Sequence, residues 1–264
     1  MKLHRALLPF IALLSLSGCG SAMEVETLSD ARYANPVDRY SHFALGKPHE
    51  YASLIATAHS GRKLTLQLPD DEVFEDLAPR LVKLAENEPD EILAIVSQQD
   101  NGARLVLIRP RGDALAISAQ SSAIGMANRW LNPVGVADLD GDGRAEIAAV
   151  ITPHIGGTLK IYRKNGIDLL EVASLGGFSN HVYGSPELAL STPVAIAGHT
   201  VLLVPDTTRL QLRIIALEND RLVEAGRCAL SAPITGAINS ISSREVSVIT
   251  LSGPQVITPG DCIK

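Results

Sequence analysis

The feature that most limits the fold of this chain is a recurrence of short β-type units. Glu91-Ile92-Leu93-Ala94-Ile95-Val96 aligns with Glu146-Ile147-Ala148-Ala149-Val150-Ile151. Residues 105–109 then match residues 159–163, and each is followed by a glycine turn and a further strand, at 113–118 and 168–174. Weaker copies begin near His49, Thr192 and Ile234, and residues 201–204, 210–215 and 246–251 are also strand-like. Breakers separate the runs: Asn101-Gly102, Gly156-Gly157, Asn165-Gly166, Pro205-Asp206 and Asn219-Asp220. Only residues 73–85 show a helical period, and Pro79 interrupts it. A spacing of about fifty residues suits a four-stranded unit. One such sheet exposes two faces and two edges, and a radial arrangement buries the faces and leaves short edges. The expected fold is all-β: a β-propeller of about five four-stranded blades, with a β-sandwich as the alternative.

Composition excludes several classes. Hydrophobic residues make up 46% of the 264 residues and charged residues 20%, enough to build a core and too apolar for wholesale disorder. Aromatics at 4% are too few for a surface of stacked bases or sugars. A net charge of −6 excludes a nucleic-acid partner, because phosphate contacts need clustered Lys and Arg. After the first twenty residues no apolar run is long enough to span a bilayer.

The N-terminus reads as an address. Lys2, His4 and Arg5 form a basic segment, and residues 6–16 form an apolar one too short to be a stable membrane anchor. Leu16-Ser17-Gly18-Cys19 follows and resembles a bacterial lipobox. The resemblance implies cleavage before Cys19 and acylation of its thiol and amine, and several acyl chains give durable membrane anchoring. The alternative is an ordinary signal peptide with a chance cysteine. Gly20 stands where inner-membrane lipoproteins carry Asp, which by resemblance implies the outer membrane, facing the periplasm. Residues 1–18 are then a signal peptide, residues 19–35 a lipidated tether without clear period, and residues 36–264 the folded domain. With Cys19 assigned to lipid, Cys228 and Cys262 remain, and in an exported protein they most simply form a disulfide. The alternative is two free thiols.

Asp138-Leu139-Asp140-Gly141-Asp142-Gly143-Arg144-Ala145-Glu146 is the sharpest motif. Carboxylates at alternate positions can converge on a hard cation when the loop curls, and glycines permit that curl. An oxygen-only, negatively charged set suits Ca²⁺ better than Zn²⁺ or Cu²⁺. The expected ligands are Asp138, Asp140, Asp142 and Glu146, with the backbone carbonyl of Arg144. An EF-hand is excluded: its twelfth loop position would be Ala149, and the flanks read as strands rather than helices. The stretch from Val136 to Ile147 resembles the FG-GAP and VCBS-type repeat family. That resemblance implies a propeller with Ca²⁺ held in an inter-strand loop, and it covers one unit of the chain. The matching loop one unit earlier, Glu86-Asn87-Glu88-Pro89-Asp90-Glu91, is shorter and lacks both glycines. The ion could simply staple two strands, or it could bridge to a ligand.

Phe178-Ser179-Asn180-His181-Val182-Tyr183 is the most polar-aromatic loop. Asn180, His181 and Tyr183 are candidates to bind a polar ligand, or to brace the backbone between units. Arg111-Gly112-Asp113 is an RGD tripeptide at an expected turn, a pattern that also arises by chance. His154 and His199 are isolated, without His-x-x-His spacing, and Trp130 reads as a core or rim filler. No Gly-x-Ser-x-Gly elbow or phosphate loop occurs. The expected function is a lipid-anchored, Ca²⁺-stabilised module that binds a protein or glycan partner in the bacterial envelope without catalysis. The alternative is a hydrolase or lyase acting on a carbohydrate or anionic substrate.

Overall fold

The computed structural model describes residues 26–263, so the lipobox with Cys19 lies outside the described residues. The described chain contains nineteen strands, a short 3-10 turn at Pro259–Cys262 and no α-helix. In chain order they form five groups. The first is β1 (Leu28–Pro36), β2 (Glu50–Ala58) and β3 (Lys63–Gln67). The second is β4 (Glu72–Glu75), β5 (Arg80–Val82), β6 (Glu91–Gln98), β7 (Gly102–Arg111) and β8 (Ala114–Gln120). The third is β9 (Leu131–Ala137), β10 (Glu146–Ile151), β11 (Gly157–Asn165) and β12 (Asp168–Phe178). The fourth is β13 (Thr192–Ile196), β14 (His199–Pro205), β15 (Gln211–Glu218) and β16 (Arg221–Ala229). The fifth is β17 (Ile234–Ser240), β18 (Val246–Thr250) and β19 (Gly253–Ile257).

The repeated runs lie in register with the expected units. β6 pairs antiparallel with β7, with Ile92 opposite Ile108, and β10 pairs with β11, with Ile147 opposite Tyr162. β6 and β10 are near-continuous apolar runs, as strands buried on both faces must be. Their alternate side chains feed two different cores. Ile92, Ala94 and Val96 pack with Leu54 and Leu64, whereas Leu93 and Ile95 pack with Ile147 and Ala149. Ala148 and Val150 point the other way, to Leu202, Val204 and Ile215. Leu203, Leu212 and Ile214 then pack on Ile234, Val248 and Ile257. The groups are therefore layers, stacked face to face in chain order. Gly135 permits one close approach between them, since a Cβ there would lie 2.6 Å from Cδ of Pro193.

The all-β class holds, but the five-bladed propeller does not. The first three groups are joined in one twelve-stranded mixed sheet, beside a four-stranded and a three-stranded sheet, and none of them closes. The long sheet bends at thin joints: β2 and β4 share two residue pairs, and β8 and β12 share one parallel pair, Gln120 with Asp168. A ring would bury both faces of every layer. Here β18 alternates buried and half-buried residues and β3 buries only Leu64, so the terminal layers each keep an outer face. Among the described residues no hydrophobic cluster joins the first layer to the last. Sheets packed face to face, the sandwich alternative, describe this packing better.

Two local expectations also change. The segment read as a tether already forms β1 from Leu28, because Leu28 and Tyr33 are buried and the strand pairs with β2. The helical period at 73–85 comes from β4 and β5, short strands on either side of Pro79. The disulfide is present: Cys228 on β16 and Cys262 in the 3-10 turn are bonded, with Cα atoms 5.3 Å apart, and tie the tail to the fourth layer.

Candidate functional site

Two constellations compete for the functional role. The first is the loop between β9 and β10, whose ends meet where Ala137 pairs with Glu146. Asp138 organises it: Oδ1 accepts from the Gly141 amide at 2.7 Å and Oδ2 from the Gly143 amide at 2.9 Å. Gly141 and Gly143 have φ of +81° and +86°, angles that glycine reaches without steric cost. Glu146 is buried, and its Oε2 accepts from the Leu139 amide at 2.9 Å. The curl brings carboxylate oxygens of Asp138, Asp140 and Glu146 within 4.8 Å of one another.

Asp142 stays outside that set. Its Oδ1 accepts from the Arg144 amide at 2.7 Å, and the Arg144 side chain pairs with Glu88 at 3.3 Å. The loop also carries a cation that local reading missed. Arg163 on β11 donates to Glu146 at 2.8 Å and to Asp220 at 2.5 Å, and it also pairs with Asp140. The hydrogen bond to Glu146, followed by that to Asp220, holds this guanidinium above even its ordinary range. Three carboxylates against one guanidinium leave a negative excess, and an all-oxygen donor set fits a hard cation such as Ca²⁺. Three side-chain oxygens are half or less of a Ca²⁺ shell, so backbone carbonyls or water would supply the rest.

The second constellation is a cavity of about 340 Å³ lined by His154, Phe178, Ser179, His181, Tyr183 and Arg209, among others. Its walls come from three connections: β10 to β11, β12 to β13, and β14 to β15. Beneath it lies Trp130, almost wholly buried, with its ring 4.9 Å from that of His181 and parallel to that of His154 at 6.1 Å. Trp130 Nε1 donates to the Glu75 carbonyl at 2.9 Å, which fixes the indole.

The histidines form a wire of known direction. His181 Nε2 lies 2.8 Å from the Ser185 carbonyl, which can only accept, so Nε2 carries the proton. Nδ1 of a neutral His181 is then an acceptor, and His154 Nε2, 2.7 Å away, donates to it. A neutral His154 is left with an acceptor at Nδ1. Burial pushes His154 down to about 4, with His181, His42 and Arg209 adding repulsion. Burial also lowers His181, and Arg209 adds to this while the bond to Ser185 opposes it.

The expected ligand loop divides on inspection. His181 is fully buried and lines the cavity, and Tyr183 stands at its rim with its hydroxyl donating to the His42 carbonyl at 2.8 Å. Asn180 is a brace: it is fully buried, and its Nδ2 donates to the Asn132 carbonyl and to Ser191. His154 read as isolated because its partner His181 is 27 residues away, and Arg209 gave no signal because its one side-chain hydrogen bond, to Ser179, is long and spans 30 residues. Elsewhere, His199 is exposed at the start of β14, and the Arg111-Gly112-Asp113 turn is exposed with Asp113 paired to Arg62 at 2.6 Å. No protein-family model matches the chain, and no curated protein matches it either.

Proposed function

We propose that this chain is a non-catalytic binding module of the bacterial envelope, displayed on a membrane by lipid at Cys19. Ca²⁺ sits at the 138–146 loop, as in the FG-GAP and VCBS-type repeats that the motif resembles, and the partner is a protein or a glycan. The observation that carries this reading is the convergence of Asp138, Asp140 and Glu146 at the junction of two core strands. Ca²⁺ there would neutralise the excess charge, tie β9 to β10 and stiffen the layer that supports the cavity wall at His154. The test is Ca²⁺ titration of the purified, metal-free full chain by calorimetry, beside Asp140→Ala. Saturable heat in the wild type and none in the variant supports the reading. No heat in the wild type removes Ca²⁺ from it.

The second reading, a hydrolase or lyase on a carbohydrate or anionic substrate, draws on the same cavity. It gathers His154, His181, Tyr183 and Arg209, but no carboxylate lines it. Glycoside hydrolysis commonly needs two carboxyl groups flanking the scissile bond. Neither Ser179 nor Thr207 is hydrogen-bonded to a histidine that could activate it. The chemistry of the lining favours holding a ligand over breaking one.

A further inference from the structure

Among the described residues Arg209 is the only charged one lining the cavity. Among the described residues it has no carboxylate partner, whereas Arg163, Arg213 and Arg227 nearby in sequence or space each have one. Its Nε is buried with no hydrogen-bond partner at all, and its one side-chain contact is a long 3.5 Å approach of Nη1 to Ser179 Oγ. A buried donor of this kind is costly unless something accepts from it. Opposite in chemistry stands His154, whose Nδ1 is an acceptor without a partner among the described residues. Ser179 and Thr207 add hydroxyls to the same lining. The cavity thus offers a cationic fork, an uncharged nitrogen acceptor and two hydroxyls, within a volume of about 340 Å³. A plain oxyanion would satisfy Arg209 but would face the lone pair of His154. A neutral sugar would satisfy His154 but leave the guanidinium charge uncompensated. One molecule answers both when it carries a carboxylate and a hydroxyl together.

We infer that this cavity binds a small hydroxy acid of the acidic-sugar type, with its carboxylate on Arg209 and a hydroxyl donating to His154 Nδ1. The inference rests on the reading of the chain as a binding module and names its ligand class. Arginine suits the carboxylate end because its planar fork can bond both oxygens at once. The neutrality of His154 at ordinary pH, from burial first and then from repulsion by His181, His42 and Arg209, keeps Nδ1 an acceptor. The hydrogen bond to His181 fixes the imidazole, which lies parallel to the Trp130 indole, so the acceptor is pre-oriented.

The experiment is ligand-observed NMR on the full chain at pH 7, with D-glucuronate, D-glucose and sulfate as separate probes, each in Ca²⁺ and in EDTA. Glucuronate is expected to bind, with glucose and sulfate each weaker by roughly tenfold or more, the scale of one charge-assisted hydrogen bond. Arg209→Gln should weaken glucuronate about tenfold or more, and Arg209→Lys should recover part of the loss. His154→Phe should weaken glucuronate and spare sulfate. The Arg209 side chain makes only the long hydrogen bond to Ser179, so its variants should fold, and Ser179→Ala serves as a second handle. Glucuronate that fails to bind in the millimolar range overturns the inference. So does glucose or sulfate binding as tightly as glucuronate, and so does binding unchanged in Arg209→Gln. The same spectra, recorded with a glucuronate-bearing disaccharide, separate this from the reading it rests on. New product signals would sink the non-catalytic reading while leaving the site in place, and binding that persists in EDTA keeps it independent of the 138–146 loop.

Discussion

In the 138–146 loop every carboxylate that converges comes from nine consecutive residues. The cavity takes its groups from three connections and seats them on a tryptophan from a fourth segment. The loop is exposed from Asp140 to Arg144, with Asp138 half-buried and Leu139 and Glu146 buried, and its geometry is fixed by its own backbone amides. The cavity has a buried floor and depends on the layers below it being in place. A site of the first kind can be rearranged, emptied or filled with little effect on the core. A site of the second kind exists only while the core does. Substitutions should therefore separate the two sharply.

The largest contrast should come from Trp130→Ala. The indole is 2% exposed, belongs to the core shared by the second and third layers, and donates to the Glu75 carbonyl. Truncation leaves a void and an unpaired carbonyl, with an expected cost of about 3–5 kcal/mol. That corresponds to a fall in melting temperature of roughly 10 °C. Denaturant unfolding checks it, and a cost under about 1 kcal/mol would mean that the cavity floor is not part of the core.

Ca²⁺ probes the other side of the comparison. A ligand held only by the native state stabilises it by about 2.7 kcal/mol at a hundredfold excess over its dissociation constant. Thermal melts in EDTA and in such an excess of Ca²⁺ should then differ by roughly 5–10 °C. The loop is local, so the melt in EDTA should remain cooperative, with the disulfide and layers intact. Broad or two-stage unfolding in EDTA would show that the loop is needed by the core as well, and the contrast between the two sites would fail.

The same division decides how much could be read from the sequence. The strands were legible because each is a local apolar run, and β6, β10 and β15 lie where the runs at residues 91, 146 and 210 place them. Ring closure was not legible. Repeated four-stranded units stack equally well in a circle or in a line, and the choice rests on whether the outer faces of β3 and β18 are covered. The 138–146 loop was legible because its carboxylates alternate along one turn. Even there, the role of Arg163 was hidden, since it comes from β11, and spacing alone does not say which way a carboxylate turns: Asp142 stands outside the convergent set. The cavity was legible only at His181 and Tyr183. His154 looked isolated because its partner is 27 residues away, and Arg209 is paired with nothing that a pattern could show.

Stability against pH should report the cavity. His154 has its folded value near 4, below the ordinary 6.5, so the unfolded chain binds the proton more readily. Above pH 6.5 both states are neutral at this residue and its contribution to stability is fully present. It is lost as pH falls from 6.5 towards 4. His154 is only partly buried, and solvent screening reduces the loss to about 1–2 kcal/mol. His181, lowered by burial, adds in the same direction. Urea midpoints between pH 7.5 and 4.5 should fall for the wild type more steeply than for His154→Gln. Parallel curves would place the histidine wire in solvent.

The finest test compares two aspartates of one motif. Asp138 accepts from two glycine amides and belongs to the convergent set, whereas Asp142 accepts from one amide and stands apart. Asp138→Ala should cost about 1 kcal/mol without Ca²⁺, and Asp142→Ala under about 0.5 kcal/mol, since its one hydrogen bond is exposed. With Ca²⁺ present the difference should widen. Asp138→Ala should lose the thermal shift altogether, and Asp142→Ala should keep most of it. Equal loss in both variants would restore the four-carboxylate set that spacing alone implied. The loop would then have to turn the Asp142 side chain inward as the ion binds, and Arg163 would be the group to release, since it holds Asp140 and Glu146 from the opposite side. Arg163→Met would distinguish these cases. With a preformed set of three it should tighten Ca²⁺ by removing a competing cation. With an induced set of four that tightening should vanish when Asp142→Ala is added to the same chain.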